Sequence, residues 1–381
     1  MSLKGKWYAL YLRREPASLA LLFGLLIVFF TFVTGLSRIY SAQQQSLAVR
    51  WSERGTANLQ AHNYQPAVDE LRAALRYSRD NQAYQLSLAE ALIGLDRTSE
   101  AEAYLVNLWE EQPENGRVNL DLARVAVQEG QTTRALRYYH NAIYANWPED
   151  DQAAQIRDAR IELIEYLLRI KATAQAQSEL VSLQVYLGDD TTYQKLLGDL
   201  FTRTGDYEHA LSAYRLSLSA KPHDAVVLAG AGNAAFQLGR YEQAAHYLRE
   251  NLALDSSNTN SQNQLHLSEL VLRMDPFRPQ IPAAERDKAV VNAFQIAGNR
   301  LTACPVAASY SSSKDPKKDL AHEWADLKRE VTATGLRRNP DLATTTMDLV
   351  FSIERQANIW CGSPSDTDRA LLLIAKLHEG S

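Results

Sequence analysis

The sequence repeats itself every 34 residues, and a period of that length leaves few folds open. Six windows begin at Ala48, Gln82, Gly116, Arg157, Thr191 and Ala225, with seven extra residues, 150–156, between the third and the fourth. Position 20 is alanine in every window: Ala67, Ala101, Ala135, Ala176, Ala210 and Ala244. Position 8 is small at Gly55, Ala89, Ala123, Gly198 and Gly232, with Ile164 the exception. Position 24 is bulky throughout: Leu71, Leu105, Tyr139, Leu180, Tyr214 and Leu248. Small residues let two antiparallel helices cross closely, and the bulky one fills the gap against the next unit. Gly130, Gly205 and Gly239 at position 15 suit the turn between the helices, because glycine tolerates positive φ. Pro113 and Pro222 at position 32 stop the second helix.

These windows resemble tetratricopeptide repeats, helix-turn-helix units of W-x2-L-G-x2-Y…A-x3-F…P character. Window 191–224 carries the likeness best, and window 157–190 keeps only Ala176, Leu180 and Leu183. The resemblance implies an all-α superhelix of about six repeats across residues 48–258: 48–81, 82–115, 116–149, 157–190, 191–224 and 225–258. Leu265, Leu267, Leu270, Val271 and Met274 then mark a capping helix at 259–274. Three prolines predict an extended linker over 275–283, and the pattern beyond predicts a small helical domain, 284–381. Its helices are expected at 284–303, 317–334, 341–360 and 369–378, the last opened by a capping box from Ser365 to Asp368.

Residues 17–36 form an uncharged apolar run, about 30 Å of helix, which matches the hydrocarbon thickness of a bilayer. The run is too long for the apolar part of a signal peptide, and Ile39 or Tyr40 would occupy −3 of a cut near Ala42. An uncleaved transmembrane helix is expected, with residues 37–47 as a connector. Lys4, Lys6, Arg13 and Arg14 precede the run, so residues 1–16 are expected in the cytoplasm and the repeats outside it, in the periplasm if the source is bacterial.

Cys304 and Cys361 are the only cysteines. Outside the cytoplasm they could form a disulfide, worth roughly 4 kcal/mol by loop closure. The alternative is two buried thiols.

The resemblance also places a partner-binding groove on positions 2, 5, 9, 12 and 13 of the first helices. In repeats three to five these positions hold Arg117, Leu120 and Arg124, then Asp158, Glu165 and Arg169, then Lys195, Asp199 and Arg203. Repeat six adds Val226, Asn233 and Phe236. Mixed charge with a basic lean suits a protein partner that offers an acidic or C-terminal segment. Lys195 stands where a lysine–asparagine carboxylate clamp would begin, but Asp199 replaces the asparagine and would repel a terminal carboxylate. Reversing Arg124 and Arg169 to glutamate is expected to leave the fold intact and to weaken partner capture.

No GxSxG, Walker-type or HExxH motif is present, so neither enzyme chemistry, cofactor nor metal is expected. With 45 acidic against 40 basic residues, nothing calls for nucleic acid. The expected function is a membrane-anchored scaffold or adaptor, similar to single-pass bacterial proteins of this repeat class. It would assemble or stabilise an extracytoplasmic or membrane complex. The alternative is an accessory subunit that captures substrate for an envelope-processing enzyme, or a part of secretion or cytochrome-maturation machinery.

Overall fold

The computed structural model describes residues 4–147, 152–188, 190–303 and 316–378, with side chains from Ala20 onward and, in the helix that opens at Pro316, from Asp319. Among these residues eighteen helices form and no strand does, apart from one isolated bridge between Asn115 and Asn146. The chain divides into two compact units, Met1–Tyr166 and Leu167–Ser381.

In the first unit, α1 (Lys4–Gln60), α2 (Tyr64–Tyr77), α3 (Gln82–Ile93), α4 (Thr98–Glu111), α5 (Gly116–Gln128) and α6 (Thr132–Ile143) each pack on the next. The following helix, α7 (Gln152–Arg169), runs across the division and begins ahead of Arg157, inside the seven extra residues. The second unit holds α8 (Thr173–Leu187), α9 (Thr191–Thr204), α10 (Tyr207–Ala220), α11 (Ala225–Gln237), α12 (Tyr241–Leu254) and α13 (Thr259–Met274). It ends with α14 (Ala283–Ala303), α15 (Pro316–Leu327), α16 (Ala333–Arg338), α17 (Asp341–Trp360) and α18 (Asp366–His378).

Three recurring positions hold each pair together. The six position-20 alanines have no exposed surface at all. Position 8 is small because position 24 of the same repeat lies on it. A Cβ on Gly55 would stand 2.6 Å from Leu71, one on Gly198 2.5 Å from Tyr214, and one on Gly232 2.6 Å from Leu248. The bulky residue therefore fills its own repeat first, where the sequence pointed only to the next. Tyr214 does both, since its ring also stands 2.5 Å from a Cβ placed on Gly230 of the following repeat.

Position 15 shows a regularity that residue types concealed. His62, Asp96, Gly130, Lys171, Gly205 and Gly239 all adopt positive φ, between 57° and 79°. Three of the six repeats thus accept a non-glycine residue there, at about 1 kcal/mol each, to keep the same turn. Position 34 is Asn or Asp in every window but the third, which has Glu149. Asn81, Asn115, Asp190, Asp224 and Asn258 each accept a first-turn backbone N–H, capping α3, α5, α9, α11 and α13.

Four expectations need correction or restriction. Residues 37–47 are no separate connector: α1 continues through them without a break. The segment SRIYSAQQQSL contains neither glycine nor proline, so nothing in it stops a helix. The capping helix α13 does not end the packing either. It rests on α11 and α12, while Leu270, Val271 and Met274 enter one core with Phe294, Val350 and Ile374 of the C-terminal helices. The proline-rich segment is accordingly folded rather than extended, with Asp275 buried, accepting the Phe277 N–H at 2.9 Å and meeting His378 at 3.2 Å. The helix expected over 317–334 is two helices, α15 and α16. Thr332 is extended and its hydroxyl accepts the Gly335 N–H at 3.0 Å, which starts α16 afresh.

The capping box at α18 forms in both directions: Asp368 accepts the Ser365 N–H at 2.9 Å, and the Ser365 hydroxyl accepts the Asp368 N–H at 3.3 Å. Cys361 caps α17, whereas Cys304 lies outside the described residues. The Cys304–Cys361 bridge is thus a proposal about the chain in an oxidising compartment.

Candidate peptide-binding groove

In the first unit the expected groove arginines are already engaged. Arg117, at the start of α5, grips Glu90 of α3 with two hydrogen bonds, Nε–Oε1 at 2.5 Å and Nη2–Oε2 at 3.0 Å. Arg124, two turns on, donates from Nε and Nη2 to Glu162 of α7, at 3.0 and 2.8 Å, and from Nη1 to Asp121 at 3.0 Å. The Tyr139 hydroxyl donates to the same Glu162 at 3.0 Å. These bonds run from repeat two through repeat three to repeat four. Leu120, expected beside them in the groove, is buried in the core at 5% exposure. At about 100° per residue, Leu120 sits roughly 60° from Arg117 and roughly 40° from Arg124, to one side of the face they share.

Electrostatics follow from the count of three carboxylates to two guanidiniums. Burial pushes the Asp121 carboxyl well above the usual carboxylate range; Glu90 adds to this, and the two arginines oppose it. Burial works against the charge on Arg124, but the Glu162 bonds and Asp121 outweigh it and hold the guanidinium more firmly charged. For Arg117 burial likewise lowers and Glu90 raises, with a net rise. One oxygen of Asp121, Oδ2, has no hydrogen-bond partner among the described residues. Asp158 accepts from its neighbour Arg157 at 2.8 Å, and Glu165 is half-buried.

In the second unit the surface is more open. Arg169 and Arg203 are exposed, and Val226 is 60% exposed. Lys195 lies 3.6 Å from Asp224, the residue that caps α11. Asp199 accepts the Tyr214 hydroxyl at 2.7 Å; burial and then this carboxylate keep that phenol protonated far above its ordinary range, although the Thr202 contact opposes them. Asn233 accepts from Gln264 at 2.7 Å. Phe236 is half-buried, meets Tyr241 edge-on at 5.5 Å and packs against the core shared with the C-terminal helices, so it is no groove residue.

The residues missed from sequence are Glu90, Asp121 and Glu162. Glu90 stands at position 9 of repeat two, itself a groove position, with Arg117 at position 2 of repeat three. Opposite charges at groove positions of consecutive repeats were the available signal, and they mark a ladder between repeats as readily as a binding surface.

Family models described as tetratricopeptide repeat match residues 52–117, 96–157 and 195–225. Solved structures with a similar arrangement include pilF of Pseudomonas aeruginosa, at 17% identity over 58% of this chain and 97% of that one, with a TM-score of 0.42. PilW, described as a type IV pilus biogenesis factor, gives 15% identity, 57% and 98% coverage and a TM-score of 0.42. YrrB, described as having an unusual peptide-binding site, gives 15%, 50% and 95%, and 0.38. Among curated proteins none matches the chain. Repeat spacing, the shared turn and cap positions and the family models together define a helical-repeat scaffold of the kind that binds proteins. The chain belongs to the tetratricopeptide-repeat superfamily.

Proposed function

We propose that this protein is a membrane-anchored scaffold whose repeats hold a protein or peptide partner outside the cytoplasm, in the assembly or stabilisation of a membrane or extracytoplasmic complex. The supporting observation is α1. Its most apolar 18-residue window has a mean hydropathy of 2.3 and no buried share, and the helix runs unbroken into the first repeat. An apolar surface of that extent is stable when lipid covers it. Four basic residues before the run, Lys4, Lys6, Arg13 and Arg14, favour a cytoplasmic N-terminus. Alkaline phosphatase fused after Ser381 should be active, and a reporter that works only in the cytoplasm should be silent there. The reverse pattern would overturn the proposed topology.

The partner surface is proposed for the first helices of the second unit, where Arg203 and Val226 are exposed. A photoreactive residue at Val226 should crosslink to a discrete partner in cells, whereas one at His246, 65% exposed on the second helix of the same repeat, should not. Equal yields at both positions would remove the groove from consideration.

A further inference from the structure

A cavity of about 1080 Å³ opens where the last repeat meets the C-terminal helices, lined from α12, α13, α14, the segment between the last two, and single residues of α16 and α18. Its charged side chains are Arg249, Arg273, Arg278 and Lys288 against Glu269 and Glu285. Glu269 is held by Arg249 at 2.9 Å, so the remaining three cations face one carboxylate. Arg273 and Lys288 are exposed, on α13 and α14 respectively.

The cavity is also chemically divided. Glu285, Lys288, Asn292 and Gln295 recur at three- and four-residue intervals and line one face of α14. Two of them are exposed amides, and an amide offers a donor and an acceptor that match a peptide group. Leu272, Ile281 and Val291 are half-buried and give the same cavity an apolar floor. A polyphosphate would meet Glu269 and Glu285 and gain nothing from that floor. The volume exceeds the roughly 300–1,000 Å³ typical of small-molecule pockets.

The geometry points to a second binding site, separate from the groove, for an extended acidic peptide segment of a protein partner that alternates carboxylate and apolar side chains. Carboxylates would pair with Arg273, Arg278 and Lys288, apolar side chains would enter the floor, and Asn292 and Gln295 would hold the backbone.

The test uses the full chain in detergent micelles and a fluorescent, end-blocked peptide alternating glutamate and leucine, with empty micelles as the blank. Anisotropy should report binding that weakens as salt rises, because the cations are exposed to screening. The double variant Arg273→Glu/Lys288→Glu should bind at least about tenfold more weakly, as expected when charges at a polar rim are reversed. Both side chains are exposed, so its unfolding midpoint should match wild type. Val226→Asp, in the proposed groove, should leave binding unchanged, and a lysine–leucine peptide should not bind. No binding above the blank, or equal binding by the double variant, overturns the site. Loss with Val226→Asp alone would place the peptide in the groove and overturn it too, while supporting the groove.

Discussion

Reversing Arg124 to glutamate should lower the unfolding free energy of the repeat array by about 3 kcal/mol, the cost of breaking a buried ion pair from one side. Asp121 has no exposed surface, and Arg124 is the only group that hydrogen-bonds its carboxylate among the described residues. Glu162 would lose three bonds from the same guanidinium and, among the described residues, keep the Tyr139 hydroxyl alone. A new carboxylate at position 124 would add repulsion to both. The figure sits at the low end of the range for buried pairs because the Arg124 side chain is 40% exposed and water can relieve part of the loss. Replacing Asp121 by asparagine in the same chain should recover part of the stability, by removing one of the stranded charges. Urea unfolding of the full-length variants, followed by circular dichroism, measures both effects. An unchanged midpoint for Arg124→Glu would mean that the ladder from repeat two to repeat four contributes little. The expectation that this reversal spares the fold is therefore withdrawn for Arg124, while the exposed Arg169 remains a tolerable site.

Stability should also fall as pH rises from about 4.5 to about 7, through Glu354. This residue of α17 is fully buried and contacts Arg300 of α14, which also lies 3.6 Å from Asp368 of α18. One guanidinium cannot fully compensate two carboxylates. Burial pushes Glu354 up to about 7, with Asp368 adding and Arg300 opposing, against an ordinary value of 4.5. Between those values the folded chain keeps a proton that the unfolded chain has released. The contribution is thus fully present below the unfolded value and is lost as pH climbs through the folded one. At about 1.4 kcal/mol per pKa unit, the loss is on the order of 3 kcal/mol. Glu354→Gln keeps the shape and a partner for Arg300 but cannot titrate. Its urea midpoint, relative to wild type, should therefore gain between about pH 5 and about pH 8. Parallel pH profiles for the two proteins would show that Glu354 is ionised in the fold throughout.

The helix pairs were legible because their constraints are local and recur. An alanine where two helices cross and a bulky residue four positions on are imposed on each repeat separately. Even the weak repeat at 157–190 keeps Ala176 and Leu180 at those positions, whereas its turn at Lys171, shared with Gly130 and Gly205, was hidden by residue type. The unbroken α1 could have been read as well, because residues 37–47 contain no helix breaker and the assumed connector rested on hydropathy alone.

The sequence by itself determined the repeat fold, the order of its helices from α2 through α13, and one apolar run of membrane length. Periodic burial and helix capping depend on residues a few positions apart, so one chain of letters contains them. Only the tertiary structure decided the fate of the charges. Arg124 meets Glu162 and Arg300 meets Glu354 across separations of 38 and 54 residues, and whether such pairs close depends on how helices stack. The same stacking buried Leu120, packed Phe236 against the C-terminal core, joined α13 to the C-terminal helices and folded a proline-rich stretch that composition marks as a linker. Side chains alone do not say whether a cation at a groove position faces a partner or its neighbouring repeat, because both are carboxylates at the same distance.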